Sequence, residues 1–299
     1  MDITAASAHP LLDGDSNPGR VHWAPGGVAR NVAENLSRLG HRVAMVSAVG
    51  ADAFGAALLQ ASSASGVSVE HVRPMADQRT ATYLSVHGPD GDMAVAVNDM
   101  AIIDELTPDY LSPLRTTLEA APCLVLDANL REDTLRWLLG DVRPRLVFVD
   151  SVSVAKCMRI ASCLAGIHLL KVNRMEAQAL TGIAVTGVDS AKRAAYALHA
   201  AGARNVVVSM GGQGVAYCNA EGAAAHCAAG KVPVISTSGA GDALLAGLVH
   251  GHLAGWTLDD AVAFAMQCAE MTLSSPDANH RQLSVAAITQ RIESAQSGR

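Results

Sequence analysis

Short apolar runs that stop at a polar residue and pass into helical sequence constrain this chain more than any other feature. Cys123–Asp127 and Leu146–Asp150 end in carboxylates, and His168–Asn173 ends in an amide. These runs lack polar/apolar alternation, so they are strands covered on both faces, and strands separated by helices make parallel βαβ units. Ligands of parallel sheets bind at the carboxyl ends of the strands, which puts Asp127, Asn129 and Asp150 at the functional edge. Val43–Val49 and Asn205–Ser209 are further runs of this kind. A chain of 299 residues, 50% hydrophobic and 17% charged, can bury the core of one large α/β domain or two smaller ones.

Composition narrows the partners. Aromatic content of 3% is too low for a surface that stacks single-stranded bases, and a net charge of -6 gives no overall attraction to nucleic acid or an anionic membrane. The six cysteines form no C-x-x-C pair. No apolar run approaches the roughly 18 residues that span a bilayer, and no basic and apolar leader opens the chain. Reduced cysteines and a cytoplasmic location are expected.

The segment from Val232 to Val249 reads as strand, tight turn and helix. An apolar run, Val232–Ile235, gives way to small residues and then to Leu244, Leu245, Leu248 and Val249 at helical spacing. A helix start has four unpaired N–H donors and about half a positive charge, so Gly239-Ala240-Gly241 is a candidate anion hole. Asp242 follows at once. A carboxylate repels a bound phosphate, and it belongs there if it takes a proton from an attacking hydroxyl. Taken alone, the same aspartate is explained equally well as a complement to the helix dipole.

Pro25-Gly26-Gly27 precedes the apolar stripe Val28, Val32, Leu36 and Leu39, which Gly40 closes. Paired glycines let a ligand approach the backbone, with Asn31 one turn in, although such a pair also serves as a plain turn. Thr80–His87 and Met93–Val97 flank the turn Gly88–Asp92 and read as a hairpin, with Asn98 and Asp99 at its end. Asn173 with Glu176 three residues later is a capping box. Ser209-Met210-Gly211-Gly212-Gln213-Gly214 is a glycine-rich turn after a strand.

Together these stretches resemble the ribokinase-like (PfkB) family of carbohydrate and nucleoside kinases. Thr237-Ser238-Gly239-Ala240-Gly241-Asp242 is similar to its C-terminal signature and Gly26-Gly27 with Asn31 to its N-terminal one. The resemblance implies a three-layer α/β/α sandwich with a mostly parallel central sheet, a single domain over 1–299, and a small β lid from about 12–25 and 78–100. It implies ATP and Mg²⁺, with Asp242 as catalytic base and Gly239, Ala240 and Gly241 holding the transferred phosphoryl group. By the same resemblance Asp2, Gly26, Gly27, Asn31, Asn98 and Asp242 hold the substrate. Asn173, Ser209, Gly211, Gly214 and Asn279 are then assigned to ATP, and Glu176 to Mg²⁺ through water.

Two departures from the family pattern matter. Met1-Asp2-Ile3 is similar to the end of the family's first strand, but that strand has no counterpart, so residues 1–11 are read without one. Either the start lies upstream, or the sheet lacks a strand and leaves neighbouring backbone groups unpaired, or these residues are a frayed polar end. Ser236 replaces the aspartate that serves a monovalent cation in the family, which argues against potassium activation. A homodimer through the lid is also implied.

Within the family, Ser16-Asn17-Pro18-Gly19-Arg20, Val97-Asn98-Asp99-Met100 and Val149-Asp150-Ser151-Val152-Ser153 are most similar to pseudouridine kinases. That implies transfer to a primary 5'-hydroxyl, with another nucleoside such as adenosine, or ribose, as the alternative. The nucleophile's proton leaves late in phosphoryl transfer, so a carboxylate near the ordinary value of about 3.9 suffices as base. Other readings are a dinucleotide-binding turn and a non-catalytic nucleotide- or sugar-binding regulator. The missing third glycine counts against the first, and retention of Asp242 counts against the second.

Overall fold

The computed structural model describes residues 1–142 and 146–297. Its strands are β1 (Asp2–Ser7), β2 (Gly19–Ala24), β3 (Ala44–Gly50), β4 (Ser68–Met75), β5 (Thr82–His87) and β6 (Met93–Asp99), then β7 (Leu124–Asp127), β8 (Val147–Asp150), β9 (Leu169–Asn173), β10 (Asn205–Ser209), β11 (Val215–Cys218) and β12 (Ala224–Cys227). The apolar runs form the centre of a six-stranded sheet ordered β12-β11-β10-β9-β8-β7. It is parallel from β7 to β10 and antiparallel at β11 and β12.

Side chains along these strands alternate between two cores. Val147, Val149, Val206 and Val208 enter one, with the helices Glu132–Gly140 and Val188–Ala200. Phe148, Val207 and Tyr217 enter the other, with the helices Val28–Arg38, Ala240–Leu253 and Leu258–Leu273. Each fully buried apolar side chain is worth about 1.5–3 kcal/mol, so neither sheet face is left in water and three layers result. β3 and β4 make a separate parallel pair. β3 and β7 each have one strand partner among the described residues, and both line a cavity of about 1520 Å³.

Two elements correct the sequence reading. Residues 2–7, read without a strand, form β1, which pairs antiparallel with β2 and parallel with β5 in the sheet β2-β1-β5-β6. Its sequence, DITAAS, is too small and mixed to show an amphipathic signal; pairing to its neighbours defines it. Val232–Ile235 is not a strand. Val234 and Ile235 are 60% and 63% exposed, and the Ile235 N–H donates to the Leu273 carbonyl at 2.8 Å. β12 already occupies the sheet edge beside β11, and the end of the Leu258–Leu273 helix offers a carbonyl instead.

The lid sheet has two unlike faces. Register aligns Trp23, Ile3, Leu84 and Val97 in one row and Ala24, Asp2, Tyr83 and Asn98 in the next, and adjacent rows point to opposite sides. Asp2, Tyr83 and Asn98 line the cavity. At the lid's base Asp52 caps the Ala53–Ala64 helix. It accepts from Gly55 N at 2.8 Å, Thr80 N at 2.9 Å and Thr80 Oγ1 at 2.6 Å.

Candidate active site

The Ala240–Leu253 helix begins at a position only glycine fits. Gly239 has φ +78°, and a Cβ there would collide with the Ala278 carbonyl. Gly239, Ala240 and Gly241 open the helix, where N–H groups have no intrahelical acceptor. One turn in, Asp242 is 8% exposed and its Oδ2 accepts from Asn31 Nδ2 at 2.7 Å. Burial above all, and then the charge of Asp150, pushes its pKa up to about 7, against the opposing effects of Lys171 and the Asn31 hydrogen bond. An ordinary carboxylate was expected here. The buried one is a stronger base, matched to neutral pH.

Asn31 arrives on the Val28–Arg38 helix, whose Gly27 cap has no side chain. Asp127 substitutes for the cap, accepting from Ala29 N at 3.1 Å. Arg30 organises the helix start. Its Nε donates to Gly26 O at 3.1 Å, and its Nη2 donates to Pro25 O at 3.1 Å and Asn279 Oδ1 at 2.9 Å. The same Nη2 donates to Asn31 Oδ1, so the Asn31 amide must turn its NH₂ toward Asp242. A Cβ on Gly26 would collide with the Asp2 carboxyl, so this glycine is what lets Asp2 sit against the core. Asp2, Gly26, Gly27, Asn31, Asn98 and Asp242 thus share one cavity.

Asn279, assigned to ATP, touches the helix that carries Asn31. It is 5% exposed, and its Nδ2 donates to Asn31 O at 2.8 Å while Arg30 occupies its Oδ1. Both ends of its amide are thus engaged by the Val28–Arg38 helix.

The remaining ATP candidates lie at the carboxyl ends of β9 and β10, where Ser209 is paired in register with Asn173. Gly211 has φ +59° with open space where a side chain would stand, whereas a Cβ on Gly214 would collide with the Cys227 carbonyl. Gly214 therefore has a structural reason to be glycine. The capping box forms: Glu176 Oε2 accepts from Asn173 N at 2.8 Å and Ser151 Oγ at 2.5 Å, and Oε1 accepts from Asn173 Nδ2 at 2.5 Å. Among the described residues no group of three or more His, Cys, Asp or Glu could hold a metal. An oxygen donor whose atoms are already engaged suits a Mg²⁺ that keeps its waters.

Arg30, Ser151 and Lys171 are the site residues that sequence reading missed. Lys171 Nζ stands 2.9 Å from Asp150 Oδ2. A charge inside an apolar run was the available signal; Arg30, between Ala29 and Asn31, gave none.

The profile of the pfkB family carbohydrate kinases matches residues 1–284. Pseudouridine kinase from Escherichia coli (strain K12) is 38% identical over 296 residues, 99% of this chain and 95% of that one. Guanosine-inosine kinase from Exiguobacterium acetylicum is 26% identical over 284 residues, 93% of this chain and 92% of that one. Among solved structures, ribokinase from Thermotoga maritima is similar with a TM-score of 0.84 at 19% identity, covering 97% of this chain and 96% of that chain. The fold is accordingly ribokinase-like, and the chain belongs to the pfkB family of carbohydrate kinases, which phosphorylate a hydroxyl acceptor.

Proposed function

We propose that this chain transfers the γ-phosphoryl group of ATP to the 5'-hydroxyl of pseudouridine, giving pseudouridine 5'-phosphate and ADP. One observation carries the reading: a buried carboxyl, Asp242, with its pKa at about 7, stands at a glycine-opened helix start in the cavity shared with Asp2 and Asn31. In the step, the hydroxyl oxygen bonds to phosphorus, the bond to the ADP oxygen breaks, and the hydroxyl proton passes to Asp242. The N–H groups of Gly239, Ala240 and Gly241 take up charge on the phosphoryl oxygens.

Asp2 and Asn98 hold the ribose from the lid and Asn31 from the core, so closure of the lid excludes water. Asn173, Ser209 and Gly211 face the nucleotide, and Glu176 acts on Mg²⁺ through water. The metal, when bound, neutralises phosphate charge. Two nucleoside kinases among the relatives favour a nucleoside over a free sugar.

The outer face of the lid supports a second copy of the chain as partner. Val21, Trp23, Val95 and Val97 are 71%, 53%, 52% and 62% exposed there. Six free cysteines fit a reducing cytoplasm.

The test is ATP consumption with pseudouridine, uridine, adenosine, guanosine and ribose as acceptors. Pseudouridine should give the highest kcat/KM. Preference for another acceptor overturns the substrate, and turnover of none overturns the activity.

A further inference from the structure

A buried cation stands at the helix start, and no role given so far uses it. Lys171 lies in β9 between Leu170 and Val172, both fully buried, and is itself 8% exposed. Its ammonium has three hydrogens, and among the described residues one acceptor is engaged, Asp150 Oδ2 at 2.9 Å. The side chain ends against the anion hole: a Cβ built on Gly241 would lie 2.8 Å from Nζ and 3.5 Å from Cε. Asp150 is fixed in turn, its Oδ1 accepting from Val152 N at 2.8 Å. Burial works against the ammonium, yet the charge and hydrogen bond of Asp150, followed by the charges of Asp242 and Glu176, raise its pKa overall.

A phosphate entering here meets Asp150, Asp242 and Glu176, all buried, and Lys171 is the cation among them. Helix N–H groups alone carry partial charges. A full positive charge with two free hydrogens, directed at the backbone of Gly241, supplies what these carboxylates remove.

We propose that Lys171 is a catalytic residue whose ammonium donates to the oxygens of the transferred phosphoryl group at Gly239–Gly241, with Asp150 as its positioning residue. This rests on the kinase reading above. Lys171 gives up no proton: the hydroxyl proton goes to Asp242, and Lys171 follows the phosphoryl charge from ATP to product. Nothing else in the site needs a glycine at 241, since Lys171 is the neighbour that a side chain there would displace.

The experiment compares the wild type with Lys171→Met and with the double variant Lys171→Met/Asp150→Asn, which removes both members of the buried ion pair together if the single variant folds poorly. Calorimetry gives the affinities for ADP and for a non-hydrolysable ATP analogue. The ammonium role requires the preference for the analogue over ADP to fall at least about tenfold, with ADP affinity within about twofold. It also requires kcat to fall by about 10²–10³. In Lys171→Met the acidic limb of kcat/KM should move to higher pH, because Asp242 loses a neighbouring cation, whereas in the double variant the loss of the Asp150 charge opposes that shift. A purely structural Lys171 would weaken both nucleotides alike, and that result overturns the assignment. A wild type that binds neither nucleotide overturns the kinase reading itself.

Discussion

The six-stranded sheet and the lid sheet use the same alternation of side chains and bury it differently. Phe148 in β8 is fully buried, with the rings of His168 and His252 each 5.5 Å away, whereas Trp23 in β2 is 53% exposed. In the first sheet, packing on both faces buries the central strands β8 to β11, and the groups proposed to handle phosphate sit at its edge. In the second, backbone pairing and contacts at the base hold the strands, leaving one face toward the cavity and one bare. Precision belongs to the first region and adaptability to the second.

That contrast can be broken at four points. Phe148→Ala should destabilise folding by about 3–5 kcal/mol, read from denaturant midpoints; a loss under about 1 kcal/mol would mean the core sheet is no better packed than the lid. Asp242→Asn should lower kcat at least about 10²-fold, roughly 2.7 kcal/mol of barrier, with the melting temperature unchanged or raised. A folded variant with near-normal turnover removes the base. Below about pH 7, kcat/KM should fall tenfold per pH unit as Asp242 takes up its proton, a profile that an ordinary carboxylate would place some three units lower. Trp23→Ser should change monomer stability by less than about 0.5 kcal/mol while dissociating the dimer proposed above, as light scattering would report. A monomeric wild type would leave the apolar face without the partner assigned to it.

What the sequence revealed was local chemistry. Gly239-Ala240-Gly241-Asp242, the Gly26-Gly27 pair and the hairpin from Thr80 to Val97 each carry their signal within a few residues. Contacts that unite distant segments carried none: Arg30 meets Asn279 across 249 positions, and a sequence neighbour gives no hint of it. Lys171 was visible as a charge in the wrong place, but its partner Asp150 belongs to another strand. Val232–Ile235 misled because an apolar run shows hydrophobicity and not what it docks against. β1 escaped because its order comes from the strands beside it.

The lid is pinned where its chain leaves the core. Arg30 grips the Pro25 and Gly26 carbonyls, and Asp52 grips Thr80. A leaf clamped along its stem sweeps widest at the tip, here Ser7, Gly19 and the turn after His87, and hardly at all near the clamps. Asp2, Tyr83 and Asn98 lie in a row close to the stem, so a leaning leaf would displace them least. Leverage, and not stiffness, would then let a thin sheet swing without losing its grip.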